Sequence, residues 1–407
     1  MHPLSTTPPT ADLTPAAAAP PAVFPAFHFA AAAPLRYAVH FTRGVFAPEN
    51  PLLEQVLAAG PEPAPQRFIC ALDAGLVAAQ PDLATRIEAY AAAHAGTLDL
   101  VFPPLVLPGG EAAKNSFDVP HQLLRLARRL RLPRQSHLVA VGGGAFLDAA
   151  GFAAALVHRG MRLIRIPSTV LAQNDSGVGV KNGLNLGGVK NFLGTFAPPA
   201  AVLNDFDLLR TLPERHWCAG MAEAFKVAII KDAAFLDWLL EHAAALRGRD
   251  QAAMETLVHR CAVLHLEHIA TNGDPFEQGA ARPLDFGHWA AHKLESLTRH
   301  DLNHGEAVAL GIALDLRYAA AIGFIPRADA LRVIAGLAAA GLPIRHEALG
   351  WLDLAGKPFV LQGIEEFREH LGGRLAVTLP KPLGARIEID QLDEALLQRL
   401  LAGTDEP

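Results

Sequence analysis

Glu223 and Lys226 stand one helical turn apart in MAEAFKVAIIK, His288 and His292 four apart in FGHWAAHKLE, and His304 opens NHGEAV. One carboxylate and two histidines make a three-ligand set with an open position, the arrangement of catalytic zinc. The segment around Glu223 is apolar on most faces, so its charges are expected to be buried, and buried charges need partners or a metal. A surface i, i+3 ion pair is the plainer alternative for Glu223 and Lys226. Histidines at i and i+4 can both ligate, or one can ligate while the other moves protons, or both can pack in a core. Three of them near acidic and glycine-flanked positions favour a site.

A second chemistry lies upstream. LVAVGGGAFLDAAGF reads as strand, triple glycine, helix, with Gly143 and Gly144 where backbone N–H groups can meet a phosphate. Its spacing is not that of the usual dinucleotide fingerprint, and a ligand-free tight turn would look the same. Asp73, ending the apolar run RFICALD, stands where an acid can bond a ribose hydroxyl. PGGEAAK adds a glycine turn with Glu111 and Lys114 one helical turn apart. The segment IPSTVLAQNDSGVGVKNGLNLGGVKNFLGTF offers Ser168, Thr169, Asp175, Lys181, Asn185, Lys190 and Asn191 among glycines, and reads as a long functional loop. Its lysines and asparagines suit an anionic, polyhydroxylated ligand.

These groups need a scaffold. From about Leu35 to Leu212 short apolar runs (67–73, 98–107, 136–144, 161–168) alternate with helical stretches, which predicts an α/β domain with a mostly parallel sheet. After Pro213 helices dominate to about Gly341, with short strands expected in RLAVTLP and ARIEI. The expected domains are a disordered Pro/Ala-rich tail over 1–30, an α/β domain over 31–213 and a mainly helical domain over 214–407, with the ligand in the cleft between the last two. At 407 residues and 51% apolar composition the chain can fill two cores, and it has no apolar run long enough for a membrane span. A net charge of −6 without a basic block gives no footprint for nucleic acid. Three scattered cysteines suit a reducing cytoplasm, the expected location.

In unbroken order GGGAFLDAAGF, RGMRLIRIPSTVLAQNDSGVGVKNGLN, GVKNFLGTF, LLRTLPER, AGMAEAFK, DFGHWAAHKLE and NHGEAV resemble the dehydroquinate synthase family of sugar phosphate cyclases. The resemblance implies NAD and a divalent metal, usually zinc, in the cleft of a homodimer. Position by position it implies Glu223, His288 and His304 as metal ligands, and Asp175, Lys181, Lys226 and His292 as catalytic residues. It implies Asp73, Glu111, Lys114, Gly143, Gly144, Asp148, Ser168, Thr169, Lys190 and Thr211 around NAD. Asn191 and Arg159 would meet the substrate phosphate, the arginine reaching the neighbouring subunit's site. The chemistry implied is transient oxidation of a sugar hydroxyl, phosphate elimination, re-reduction, ring opening and aldol closure, with no net redox change.

The resemblance breaks at the substrate end. Where dehydroquinate synthases carry a lysine upstream of an acidic segment, this chain, counted back from Asp274, has Glu267. GLRxLLNxGH becomes GAARPLDFGH, so Ala281 takes the arginine position, Arg282 is displaced by one, and Asp285 replaces an asparagine. The late Asp-Lys-Lys segment of the family has no counterpart in GIEEFREHLGGRLAV. Acids in place of lysine and asparagine repel a carboxylate and accept from hydroxyls. The expected substrate-binding set is Arg159, Asn191, Glu267, Arg282 and Asp285, and the expected substrate a sugar phosphate without a carboxylate, led by sedoheptulose 7-phosphate as in valiolone-type cyclases. A true 3-dehydroquinate synthase, an NAD-dependent polyol dehydrogenase and a non-catalytic sugar-phosphate-binding protein are the alternatives.

Overall fold

The computed structural model describes residues 35–187, 189–271 and 283–403, so the tail expected over 1–30, and Asp274, Ala281 and Arg282, lie outside the described residues. The described residues from Arg36 onward form one compact unit.

Its first half is a seven-stranded sheet in the order β1 (Ala38–Thr42), β9 (Ala201–Asp205), β6 (Arg162–Pro167), β5 (His137–Gly142), β2 (Gln66–Asp73) and β3 (Leu98–Leu100), with β4 (Leu105–Leu107) also on β2. Every pairing in it is parallel. Residues alternate between two cores: Ile69, Ala71, Leu138 and Ala140 face one, Phe68, Cys70, Leu72, Val139 and Val141 the other. Burial on both faces explains why these strands read as continuous apolar runs. The flanking helices are α1 (Leu52–Leu57), α2 (Ala74–Ala79), α3 (Leu83–Ala93), α4 (Asp118–Arg129) and α5 (Gly144–Leu156).

The predicted strand over 98–107 splits into β3 and β4 around Pro103 and Pro104, because proline cannot donate to a ladder. The edge strand β1 and its neighbour β9 were not predicted as strands. The predicted loop over 166–196 carries regular structure: a π-helical turn, Ala172–Ser176, precedes an antiparallel hairpin of β7 (Lys181–Leu186) and β8 (Val189–Phe196). Glycines interrupt the alternation there, and Gly187 at φ +59° makes the turn.

Arg165 on β6 holds that segment in place. It is fully buried and donates to the carbonyls of Gly177, Gly179 and Lys181 and to Asn182 Oδ1, at 2.7–3.1 Å.

The second half is helical: α6 (Glu214–Ala219), α7 (Met221–Lys231), α8 (Ala233–Arg247), α9 (Gln251–Thr271), α10 (His288–Leu297), α11 (His304–Ala321), α12 (Arg327–Ala339), α13 (Gln362–His370) and α14 (Glu394–Ala402). A small antiparallel pair, β10 (Val377–Pro380) with β11 (Arg386–Ile389), completes it. No described helix is long and apolar enough to cross a membrane.

Arg165→Met should strand three carbonyls and cost on the order of 3 kcal/mol. Urea unfolding is the check: a clearly lower midpoint is expected, and a wild-type midpoint would contradict this role for the arginine.

Candidate active site

Two sequence devices bring the ligand candidates together. In NHGE, Asn303 Oδ1 accepts from the Glu306 N–H at 3.0 Å and Glu306 Oε2 from the Asn303 N–H at 2.9 Å, a capping box that sets His304 in the first turn of α11. Gly287, at φ +78°, starts α10 in backbone contact with Gly311 of α11, where a Cβ would lie 2.0 Å from the Gly287 carbonyl oxygen. The helix starts therefore meet closely enough for His288 and His304 to face Glu223 on α7. Buried Asp315 fixes this start by accepting from the Gly287 N–H and the Trp289 indole N–H at 3.1 and 2.8 Å.

Ligand atoms of Glu223, His288 and His304 lie within 4.8 Å of one another. His288 Nδ1 is 3.0 Å from the Phe286 carbonyl, which can only accept, so Nδ1 carries the proton and Nε2 is left for Glu223 Oε1, 3.9 Å away. His304 Nε2 is 3.5 Å from the same oxygen, and its Nδ1 is 3.3 Å from Glu295 Oε2. Ligands around one tetrahedral ion at ~2.1 Å stand roughly 3.4 Å apart, so a small contraction would enclose a cation. Both oxygens of Glu223 are buried without a hydrogen bond of ordinary geometry, although Lys226 Nζ forms an ion pair with Oε2. An under-satisfied buried carboxylate facing two imidazoles fits a cation.

The charges agree. Burial works to raise the Glu223 carboxyl, but Lys226 and the histidines outweigh it and hold it down at about 2. Burial likewise opposes the His304 imidazolium, yet Glu295 and Glu223 raise its pKa to about 10. A proton thus sits where a cation would. Lys226 is held charged by Glu223 and Asp175 against the cost of burial, and Asp175 is kept ionised by Lys226 and His265 against the same cost. His292 is exposed beside the other two rings, stacked 6.2 Å from His304. Partial desolvation, with His288 and His304 nearby, pushes its pKa down, which leaves a neutral imidazole.

A cavity of about 500 Å³ runs from the glycine turns to His304. Asp73, Gly143, Gly144, Ser168, Thr169 and Thr211 line it, as does His216, which the sequence reading left out. Asp73 ends β2, accepts from the Gly75 N–H at 2.8 Å, and sits where a Cβ on Gly109 would come within 1.8 Å of its Oδ1. An acid at a strand's carboxyl end, a glycine turn before α5 and a cavity with apolar walls fit a dinucleotide.

Lys114 donates to Asp148 at 2.8 Å and to Asn191 Oδ1 at 2.5 Å, and Asn185 donates to Glu111 at 2.7 Å, so these residues form one polar network at the base of the hairpin. Lys190, expected beside NAD, instead donates to Glu295 at 2.6 Å. Lys181 is exposed at the start of β7, and Arg159 is exposed at φ +64° after α5.

Asp285 lies close enough to act on Lys226, His288 and His292. Glu267 is not gathered with it: it is exposed on α9 and its charge acts on Lys231. The inward residue nearby is His265, whose Nδ1 is 2.7 Å from Asp175 Oδ1; a residue two positions on points the other way round a helix. His265 and Glu295 are the functional neighbours that sequence reasoning missed. Glu295 carried a signal, since it follows His288 by seven residues on one helix face, and His265 carried none.

The raised pKa of His304 has a definite sign. Its protonation stabilises the cation-free fold fully below ~6.5, and that contribution is lost as pH rises through about 10. A cation needs the neutral ring, so zinc binding at pH 7 should release about one proton and tighten as pH rises. Calorimetry in buffers of different protonation enthalpy measures this; zinc binding without proton release would contradict it.

Comparisons with known proteins identify the family. Residues 104–219 match the family described as 3-dehydroquinate synthase N-terminal, and residues 220–356 the one described as 3-dehydroquinate synthase C-terminal. A 3-dehydroquinate synthase of Pseudomonas savastanoi pv. phaseolicola is 37% identical over 300 residues, 73% of this chain and 79% of that protein. Among solved structures, a 2-epi-5-epi-valiolone synthase from Streptomyces hygroscopicus subsp. jinggangensis with NAD+ and Zn2+ bound superposes with a TM-score of 0.81 at 27% identity, over 93% of this chain and all of that one. A 2-deoxy-scyllo-inosose synthase complexed with carbaglucose-6-phosphate, NAD+ and Co2+ shares the fold, with a TM-score of 0.70 at 23% identity over 89% of this chain and 95% of that one. With the two family halves together matched over residues 104–356, the chain belongs to the 3-dehydroquinate synthase family, in the sugar phosphate cyclase superfamily.

Proposed function

We propose that this protein is a carbon–oxygen lyase that closes a ketose phosphate without a carboxylate, of the sedoheptulose 7-phosphate kind, to a carbocycle, working as a homodimer. The observation that carries the reading is convergence: one cavity joins the glycine cradle to His304, and Lys226, Asp175 and His292 gather on the same triad. Bound there, NAD supplies a reversible oxidant and the divalent ion, zinc by its donor set, a Lewis acid for the hydroxyl being oxidised.

The chain's own side chains do the rest. Glu223, His288 and His304 would hold the cation, and Asp73, Gly143, Gly144, Ser168, Thr169 and Thr211 the dinucleotide, with Glu111, Lys114 and Asp148 beside them. Lys226, held charged, donates to the oxygen on which negative charge develops. Asp175, held ionised, accepts from a sugar hydroxyl. His292, a neutral imidazole beside the triad, is the proposed proton-transfer residue. Asn191 meets the phosphate, joined by Arg159 of the second copy.

Asp285 supports the carboxylate-free substrate, because an acid beside Lys226 and His288 repels a carboxylate and accepts from neutral hydroxyls. Similarity to the valiolone synthase over its whole length points the same way. The name shared by the sequence relatives favours a second reading, 3-dehydroquinate synthase itself.

Purified protein with NAD and zinc should release phosphate from sedoheptulose 7-phosphate without accumulating NADH. Turnover of the carboxylated seven-carbon substrate of 3-dehydroquinate synthase alone would overturn the substrate assignment, and stoichiometric NADH would point to a dehydrogenase.

A further inference from the structure

Two consecutive residues of β8 face different halves of the fold. Lys190 reaches the helical half, its Nζ 2.6 Å from Glu295 Oε1 on α10. Asn191, at φ +53°, turns toward the sheet half, its N–H donating to Asn185 at 2.9 Å and its Oδ1 accepting from Lys114. The two residues share one peptide bond, so the seat of one constrains the other.

Glu295 continues the path inward. Its carboxylate is only 2% exposed, and its second oxygen lies 3.3 Å from Nδ1 of His304, whose Nε2 faces Glu223. A buried carboxylate that loses one of two cationic partners is left under-compensated. A carboxylate on the far nitrogen of a ligating histidine fixes the ring and its tautomer, and losing it weakens metal binding about 10–100-fold.

We propose that Lys190 and Glu295 are positioning residues that couple the seat of the β7–β8 hairpin to cation binding at Glu223, His288 and His304. A cation orients His304, His304 orients Glu295, and Glu295 draws Lys190 and the hairpin onto α10, which sets Asn191. By reciprocity a seated hairpin strengthens cation binding. The inference rests on the cation reading of the triad.

Hydrogen–deuterium exchange on the full chain, with zinc alone as the probe and calorimetry to confirm binding, tests it. In the wild type zinc should slow exchange across 181–196 about five-fold or more. Lys190→Met should still bind zinc but lose that protection, and Lys190→Arg should regain it. Glu295→Gln should weaken zinc about 10–100-fold and show no hairpin response even when saturated. A hairpin indifferent to bound zinc, or a full response in Lys190→Met, would overturn the coupling while leaving the cation site intact. A wild type that binds no zinc would overturn both.

Discussion

Glu223 is a carboxylate with 1% exposure inside a bundle of apolar helices, and such a group stays ionised only where positive charge meets it. Lys226 supplies that charge from one turn along α7, and His288 and His304 face it from the starts of two other helices. The rest of the helical half is arranged to make this meeting close. Gly287 and Gly311 let α10 and α11 touch backbone to backbone, the Asn303–Glu306 box aims His304, and Asp315 secures the turn before His288.

The sheet half serves the same point from the other side. β2 ends at Asp73 and β5 at Gly142, from which the chain turns through glycines into α5, and Arg165 clamps the segment that delivers Asp175 to Lys226. The cavity that starts at these turns ends at His304, so a ligand filling it touches both halves. One ligand can therefore lie against the glycine turns and the triad at once.

Much of this was legible in the sequence because the local signals are strong. A charged pair in an otherwise apolar helix, histidines on one face and a capping box are all short-range patterns, and the triad they imply is the one that the fold gathers. The hairpin was not legible, since glycines mask its alternation and its register depends on buried Arg165. His265 meets Asp175 only through the packing of α9 on the π-helical turn, which no spacing encodes. Glu267 shows the opposite failure: counting along the motif gave its position, but helix geometry turns it toward Lys231 rather than the site. Lys190 was read as a cofactor contact, whereas a buried acid on another helix claims it.

The proposed role of Glu223, His288 and His304 is to hold one divalent cation, with His292 beside it but not bound to it. X-ray absorption on the zinc-loaded protein measures this directly. Two imidazole nitrogens and one carboxylate oxygen at about 2.0–2.2 Å are predicted, with an unchanged spectrum in His292→Ala and no bound zinc in His288→Ala. A sulfur shell, or a zinc site that survives His288→Ala and is lost in His292→Ala, would contradict the account.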